Sequence, residues 1–483
     1  MSRKNLRELK MANRFYRFRS CKSIFEFEEL QNQEIYFASQ EELNDPMEGY
    51  RDIFWRGDKI VWKNLFKHYL LCLERVMMVL AVNGEEYCKI DENNIPIFAG
   101  FDDFPTPMYK ELFENIASDF FSEYNESIKK IATRTTPVRR AELHWYLNAI
   151  HLTAIKIIQE NYEKSGLLPK QENSNNQISN SLTTIISLVD SIEQNILENG
   201  DEDKIGVLFD VAKYIQLETK LINKFAMMKN TPNRNFVLME FPDKYINCLE
   251  KLMYPKWYTA CFMSEKAINN SSVWGHYGDG HKGVCLIFES DENNFINLYG
   301  KNGWGGSKNN IKPSFGWSNS EFQEIKYQKG FEEIDFWKSL GNLPIPILNS
   351  TWFFDEQANK SVISDFMLGT NEDEWRKVYW ENFYRDITIK LKDWTYEQEY
   401  RLILTTLLDN EIEEQYRKLK YDFRSLKGLI FGIKMSEEDK IKIIEIIGQK
   451  CKETNRTDFE LYEAYYSHKD KNIQHRKLGL SKF

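Results

Sequence analysis

The stretch Tyr396-Glu397-Gln398-Glu399-Tyr400-Arg401, which runs into Leu402-Ile403-Leu404, carries charged residues at every second position from 397 to 401, as one face of a β-strand does. In a strand, side chains at positions i and i+2 point to the same face and lie roughly 7 Å apart. The pattern therefore predicts that Glu397, Glu399 and Arg401 share one face. Two carboxylates side by side on a strand are unfavourable unless basic groups or a ligand compensate their charge. This requirement makes the pair a candidate site.

Two other stretches show a similar arrangement of polar groups on an apolar strand. In Phe15-Tyr16-Arg17-Phe18-Arg19-Ser20, the two arginines are expected to point one way, and Tyr16 and Phe18 into a core. In the second, Trp274-Gly275-His276-Tyr277-Gly278 leads into an apolar run at 284–288. That run and the apolar stretch 257–262 are typical of central strands that are covered on both faces. We expect the residues near 17, 277 and 399 to converge around a common cavity.

Length and composition restrict the class of protein. The 483 residues are 42% apolar and 28% charged, and their net charge of -9 argues against a general nucleic-acid binder. The first residues contain no apolar core of a secretory signal, and no stretch is long and apolar enough to span a bilayer. The seven cysteines include no Cys-x-x-Cys pair, which favours free thiols. We therefore expect a cytoplasmic protein that does not enter a membrane.

The periodicity of apolar residues changes along the chain. Residues 14–56 are predicted to form strand, helix, strand and turn, whereas 60–250 follow the 3.6-residue period of helices. One predicted helical stripe contains Leu143, Leu147 and Ile150. Strand patterns return after 250, and the segment 300–320, with several Gly, Ser and Asn residues, is predicted to be a flexible loop. The predicted plan is an α+β core formed by 1–59 and 251–483, with 60–250 as a helical insertion.

A set of short segments carries a family resemblance. Together they resemble an uncharacterised bacterial domain-of-unknown-function family that includes abortive-infection proteins of the AbiGi type. The resemblance covers roughly 14–56 and 255–466, and the insertion lies outside it. The segments are Phe15-Tyr16-Arg17-Phe18-Arg19-Ser20, Ile35-Tyr36-Phe37-Ala38-Ser39, Leu43-Asn44-Asp45-Pro46-Met47-Glu48, Cys261-Phe262-Met263-Ser264, the Trp-x-His-Tyr-x-x-x-His-x-Gly segment 274–283 and Glu397-Gln398-Glu399-Tyr400-Arg401.

That family in turn distantly resembles the ADP-ribosyltransferase fold, which has a split, mixed or antiparallel β-sheet. The resemblance implies that Arg17 takes the place of the basic residue on the first strand. Ser264 or Tyr277 takes the place of the Ser or Tyr element on a middle strand, and Glu397 with Glu399 that of the Glu-x-Glu pair. The chain departs from the fold's pattern in having Arg where many members have His, and in lacking a Ser-Thr-Ser element.

The resemblance implies NAD as the substrate. Cleavage of its nicotinamide–ribose bond creates an oxocarbenium-like ribose. Glu399 would stabilise that charge and bind the ribose 2′-hydroxyl, and Glu397 would orient or deprotonate an acceptor or water. Tyr277 is the third catalytic candidate. The residues expected to bind NAD are Arg17, Tyr16, Ser264, Trp274, His276, Asn44, Asp45 and Arg401.

Other interpretations of the same residues exist. The two glutamates are equally consistent with plain salt bridges to Arg17, Arg19 or Arg401. A zinc site at Cys261, His276, His281 and Cys285 is disfavoured, because the spacing matches no standard ligand pair, and we expect no metal among the site residues.

The leading hypothesis is an NAD-consuming effector, of the kind that acts as a toxin or as a component of anti-phage defence, with an unknown macromolecular acceptor. Its helical insertion would recognise a target or a protein partner, or restrain activity. The alternatives are a non-catalytic nucleotide-binding sensor module and a metal-dependent effector with nucleic acid as substrate.

Overall fold

A computed structural model describes residues 13–84, 89–170, 181–199, 204–227, 232–307, 310–365, 372–406 and 411–480. The chain forms two compact units. Unit 1 contains Met1–Tyr50, Lys256–Phe331 and Tyr384–Phe483, and unit 2 contains Arg51–Pro255 and Glu332–Phe383. The predicted α+β class is confirmed, with an eight-stranded mixed sheet and a helical region. Unit 2 includes 332–383, a segment that the sequence plan placed in the C-terminal part of the core.

The structure contains strands from both ends of the chain. They are β1 (Arg14–Arg19), β2 (Glu34–Tyr36), β3 (Asp52–Trp55), β4 (Val138–Arg139), β5 (Trp257–Met263), β6 (Val284–Glu289), β7 (Phe295–Ser307), β8 (Asn310–Glu321), β9 (Gln323–Glu324), β10 (Lys326–Gln328), β11 (Glu333–Asp335), β12 (Ile389–Leu391), β13 (Glu399–Thr405), β14 (Lys418–Tyr421), β15 (Leu426–Phe431), β16 (Glu460–Ser467) and β17 (Asn472–Lys477).

The helices are described in the same way. They are α1 (Cys21–Phe25), α2 (Glu29–Asn32), α3 (Lys59–Asn83), α4 (Pro107–Ala132), α5 (Arg140–Lys164), α6 (Ser181–Asn199), α7 (Lys204–Met227), α8 (Pro232–Asn235), α9 (Phe241–Met253), α10 (Ser271–Tyr277), α11 (Ile345–Ile347), α12 (Glu372–Asp386) and α13 (Glu437–Glu453). Among the described residues, no helix combines the length and the apolar character that crossing a membrane requires.

The main sheet of unit 1 has the strand order β17-β16-β15-β6-β1-β5-β13-β9. Within this sheet the described strands β15 and β16 pair in parallel, and the other neighbours pair antiparallel. Both faces of the central strands are covered, because Phe15 packs in one buried cluster while Tyr16 and Phe18 pack in another. The three polar stretches of the sequence supply or precede β1, β6 and β13 of this sheet.

Three local predictions are wrong. Residues 274–277 lie in helix α10, which is capped by the Asn270 side chain, and not in a strand. Glu397 ends a 3-10 helix (Lys392–Glu397) and Gln398 has φ 47°, so the strand begins only at Glu399. The segment 300–320 is not a loop, because β7 and β8 pair through it as a long hairpin.

A second sheet in unit 1 has the order β2-β14-β7-β8. Its strands β2, β14 and β7 place Ile35, Leu419 and Leu298 in the same core cluster as Phe15 of β1. This sheet therefore covers one face of the main sheet. The other face of the main sheet carries Tyr16 and Trp274 and leads to the acidic pair.

Unit 2 contains the long helices of the predicted insertion and a three-stranded sheet in the order β11-β3-β4. The helical stripe predicted in α5 is confirmed, because Leu143, Leu147 and Ile150 are fully buried. Helix α7 differs, since many of its large apolar side chains are exposed. They are Val207, Leu208, Val211, Tyr214, Ile215, Leu217, Leu221, Ile222 and Phe225.

Candidate functional site

The two glutamates of the opening motif meet at one lysine. The Nζ atom of Lys390 lies 2.7 Å from Oε2 of Glu397 and 2.9 Å from Oε2 of Glu399. The exposed fraction of these three side chains is 6%, 1% and 2%. A buried ammonium between two buried carboxylates offsets part of the free energy that burial of each charge costs. The predicted proximity of Glu397 and Glu399 is therefore observed, although Glu397 lies outside the strand.

Arg401 forms the second half of the cluster. Its guanidinium contacts Glu399, with Nε 2.7 Å from Oε1, and holds both oxygens of Glu48, at 2.5 and 2.9 Å. It also donates to the carbonyl of Ile387 at 2.9 Å. The planar fork of arginine suits such two-point binding of carboxylates. Arg401 thereby connects Glu399 to a carboxylate that comes from a distant part of unit 1.

Local backbone geometry positions these groups. Lys390 lies on β12, opposite Tyr327 of β10, and the backbone N–H of Glu399 donates to the Tyr327 hydroxyl at 2.9 Å. The left-handed conformation at Gln398 turns the chain between the 3-10 helix and β13, so that Glu397 and Glu399 reach the same lysine. Glu48 follows the Asn-Asp-Pro turn, where its backbone N–H donates to the Asp45 carbonyl at 3.0 Å.

The pKa values of the two carboxyls are shifted in opposite directions. Burial alone would raise the pKa of Glu399, but the charges of Arg401 and Lys390 outweigh burial and lower it to about 2. Burial raises the pKa of Glu397, and the nearby charge of Glu399 raises it further, despite the opposing effect of Lys390. Glu399 therefore stays ionised, whereas Glu397 takes up a proton more readily than an ordinary glutamate.

The charges of the cluster explain this difference. Three carboxylates, of Glu48, Glu397 and Glu399, surround two cations, Lys390 and Arg401. With all five groups ionised the cluster carries one net negative charge in a buried place, which is unfavourable. Protonation of one carboxyl makes it neutral. Glu397 is the carboxyl that lacks an arginine contact in the described structure, and it is the one whose pKa rises.

Aromatic side chains lie beside Glu397. The hydroxyl of Tyr277 donates to Oε1 of Glu397, and the ring of Trp394 lies 4.9 Å from Nζ of Lys390. Burial and the charge of Glu397 raise the pKa of Tyr277, so this phenol remains protonated. The exposed His276 places Nδ1 3.0 Å from the Tyr396 hydroxyl. These partly exposed rings form a rim between the carboxylates and solvent.

Most of the other predicted residues on this face surround the cluster. Tyr277 also has Asn44 as a hydrogen-bonding neighbour, and the buried side chain of Asp45 accepts from the Met47 N–H at 2.9 Å. The Ser264 N–H donates to the carbonyl of Gln398 at 2.9 Å. Its buried Oγ is without a hydrogen-bond partner among the described residues.

Tyr16 and Trp274 are core residues and not part of the rim. Both are almost fully buried in one apolar cluster. The indole N–H of Trp274 donates to the carbonyl of Ile268 at 2.7 Å, and its ring packs edge-on against Phe18 at 4.8 Å. Packing therefore accounts for both side chains, and the ring of Trp274 is not available for stacking on nicotinamide in this conformation.

Arg17 does not join the cluster, contrary to the expectation from the motifs. It donates to the carbonyls of Cys261 and Tyr36 at 3.1 and 2.9 Å, and its guanidinium lies 5.3 Å from the Phe262 ring. Strand alternation is the reason: Arg17 shares a face of β1 with Phe15, whereas Glu399 lies on the other face of the sheet. Arg19 also points away and is paired with Glu29.

Sequence reasoning missed four contributors, Lys390, Glu48, Tyr327 and Trp394. Lys390 had one signal, because it stands alone in the apolar run Ile387-Thr388-Ile389-Lys390-Leu391. A charged residue inside a short apolar strand needs a buried partner. Glu48 belonged to a quoted motif, but nothing in its spacing pointed to Arg401. No group of three His, Cys, Asp or Glu side chains with the geometry of a metal site is found in the described part of the chain.

Comparison with known proteins locates the same region. Residues 273–402 match the family described as "Protein of unknown function (DUF2971)". The chain therefore contains a DUF2971 domain. This segment includes Tyr277, Lys390, Glu397, Glu399 and Arg401. A search of curated proteins gave no match, and a search of solved structures gave none either.

Proposed function

We propose that unit 1 is an NAD-consuming enzyme of the ADP-ribosyltransferase type, which transfers ADP-ribose to a macromolecule or to water. The observation that carries this proposal is the pair Glu397 and Glu399, which share Lys390 but differ in acidity. Two nearby carboxyls with pKa values pushed apart are the usual arrangement for an acid–base group beside a charge-stabilising group.

The proposed reaction replaces the nicotinamide of NAD by an acceptor oxygen. The bond between ribose C1′ and the nicotinamide nitrogen breaks, and its electron pair leaves with neutral nicotinamide. The ionised Glu399 stabilises the positive charge on the ribose. An acceptor hydroxyl or water attacks C1′, and its proton passes to Glu397, whose raised pKa makes it a stronger base than usual.

The surroundings of the Lys390 ammonium support a site that binds a positive charge. Its ammonium contacts both carboxylates and lies near the Trp394 ring. A nicotinamide ribose that develops positive charge needs the same surroundings. In this proposal the substrate displaces the Lys390 ammonium, and the half-buried Tyr277 and Trp394 move aside to admit it. Ser264, whose hydroxyl lacks a partner in the described structure, is available for the ribose.

The biological setting belongs to the same proposal. The motif resemblance to AbiGi-type abortive-infection proteins and to the ADP-ribosyltransferase fold supports a toxin or anti-phage effector. The helical segment is proposed to bind a protein partner through α7. Exposed Leu208, Val211, Ile215, Ile222 and Phe225 are spaced by three, four, seven and three residues, which keeps them in one heptad stripe that suits an amphipathic partner helix.

The alternative is a nucleotide-binding module without catalysis. The ion pairing of Glu399 with Arg401 and Lys390 favours it, because such a network also has a purely structural use. A metal-dependent effector that acts on nucleic acid is the other possibility, and magnesium dependence of breakdown would identify it.

The decisive experiment measures nicotinamide release from labelled NAD, and label transfer to lysate proteins, with a chelator present. Wild type is compared with Glu399→Gln and with Glu445→Gln, an exposed glutamate of the same unit. We expect loss of turnover only in Glu399→Gln, by about a hundredfold or more. Equal turnover by both variants would contradict the proposal. NAD binding without turnover in wild type would identify the binding module.

A further inference from the structure

The second sheet of unit 1 has an unusual solvent face. Its inner face is apolar, and Ile35, Leu419 and Leu298 are buried there. Side chains alternate along a strand, so the neighbours of these residues point outward. On an antiparallel sheet with one buried face, the outer face is normally polar. Here it carries a row of aromatic side chains.

The aromatic row lies on the β7–β8 hairpin. Tyr299 pairs with Trp317, and Lys301 pairs with Phe315, so these four side chains share one face. Tyr299, Phe315 and Trp317 are 37%, 47% and 56% exposed. Trp317 lies 5.5 Å from Tyr299, and Phe315 lies 5.9 Å from Tyr416, measured between ring centres. Exposed Trp304 extends the row toward the tip of the hairpin.

Lysines accompany the rings. Lys420 of β14 pairs directly with Tyr299, and both it and Lys418 are exposed. Lys301 places Nζ 3.7 Å from the Trp304 ring centre and 5.2 Å from that of Tyr416.

Acidic side chains border the aromatic row. On the β2 side, Glu34 is the cross-strand neighbour of Lys420, and Glu42 is held by Tyr36 and Arg417. On β8, the exposed Glu321 lies four residues after Trp317 and shares its face, at the end of the hairpin away from Trp304. Between these acids the row is aromatic and basic.

We propose that this sheet face binds single-stranded nucleic acid. Bases stack on Tyr299, Phe315 and Trp317, and Lys418 and Lys420 contact the phosphates. Aromatic side chains on the open face of a sheet, beside lysines, are the elements that such binding requires, because every base has a stacking face and every nucleotide a charge. The inference goes beyond the proposed NAD chemistry and does not depend on it, since binding is measured without NAD.

The charge of the whole chain does not oppose the proposal. A net charge of -9 disfavours binding of nucleic acid by the charge of the whole protein, so contact is restricted to a local basic face. Stacking then supplies much of the affinity. Binding is accordingly expected to prefer single strands over duplexes, in which the bases are already stacked and paired.

The test is fluorescence anisotropy of the full chain with a labelled oligouridylate of about 20 nucleotides, at low and moderate salt. Phe315→Ala and Trp317→Ala should each weaken binding at least about fivefold, and Trp317→Phe should restore most of it. Lys418→Glu with Lys420→Glu should weaken binding and flatten its salt dependence. Tyr466→Ala, at an exposed tyrosine on β16, is the matched control and should bind as wild type does.

Three outcomes would overturn the proposal. The first is no binding by wild type at low salt, and the second is unchanged binding by both alanine variants. The third is equal affinity for a duplex of the same length, which would indicate plain charge attraction. Because the replaced side chains are exposed, melting temperatures should match that of wild type. If an alanine variant melts at a lower temperature than wild type, Trp317→Phe and the lysine variants are used for the test instead.

Discussion

Glu397 and Glu399 both bind the Nζ atom of Lys390, although the first belongs to a 3-10 helix and the second to a strand. The positive charge of Lys390 therefore reduces the repulsion between the two buried carboxylates. Arg401 forms ion pairs with Glu48 and Glu399. Glu397 has no arginine partner in the described structure, and its pKa is raised, mainly by burial. This division of roles makes separate predictions for each residue.

Replacement of Lys390 by Met should destabilise unit 1 strongly. It leaves Glu397 and Glu399 close together without the ammonium they share, and breaking a buried pair in this way costs about 3–5 kcal/mol. Urea unfolding measures the loss. Lys440→Met removes a more exposed lysine, which is paired with Glu463 at 2.9 Å, and should cost less than about 1 kcal/mol. Equal losses in the two variants would show that the cluster contributes no more than a surface pair.

The two glutamates should respond oppositely to amide substitution at pH 8. Glu399→Gln removes one of the two carboxylate partners of Arg401 and should lower the free energy of unfolding by about 3 kcal/mol. Glu397→Gln imitates the protonated acid and removes the excess negative charge, so it should be neutral or stabilising, by up to about 1 kcal/mol. Thermal and urea unfolding of both variants test the difference. Destabilisation of similar size in both variants would contradict the assignment of a raised pKa to Glu397 and a lowered pKa to Glu399.

The depressed pKa of Glu399 predicts how stability depends on pH. The pKa is about 2 in the folded chain, against an ordinary value of 4.5. The stabilisation from its ionised form is therefore complete above pH 4.5 and is lost as the pH falls toward 2. Unfolding free energies measured from pH 6 downward should fall more steeply in wild type than in Glu399→Gln. Parallel curves would show that Glu399 has an ordinary pKa.

Tyr277→Phe should change the pH profile of NAD turnover. The Tyr277 hydroxyl donates to Glu397 and lowers its pKa, against the larger effect of burial. Loss of that bond in the free enzyme should shift the acid limb of kcat/KM to higher pH, while melting temperature changes little. Tyr466→Phe, remote from the cluster in sequence and exposed, should leave the profile unchanged. A uniform loss of rate without a shift would assign Tyr277 a positioning role only.

Local patterns determined much of the fold. The alternation in 15–20 predicted a strand, and the apolar runs at 257–262 and 284–288 predicted central strands, because a strand buried on both faces is apolar at nearly every position. That these three strands are neighbours is a finding of the structure. The 3.6-residue period predicted α5 and its buried stripe. The hairpin at 295–321 was missed, since its glycines and serines are typical of loops and its pairing depends on a partner strand.

The sequence by itself determined that Glu397, Glu399 and Arg401 are close, because neighbours in sequence cannot be far apart. Only the tertiary structure decided their partners. Glu48 lies 353 positions from its partner Arg401, and Tyr277 lies 120 positions from Glu397. The convergence of these residues with Lys390 depends on sheet register and on the turn at Gln398. The same register placed Arg17 on the opposite face, where strand alternation directs it. A one-residue change in pairing would reverse that outcome, and sequence periodicity does not specify pairing between distant strands.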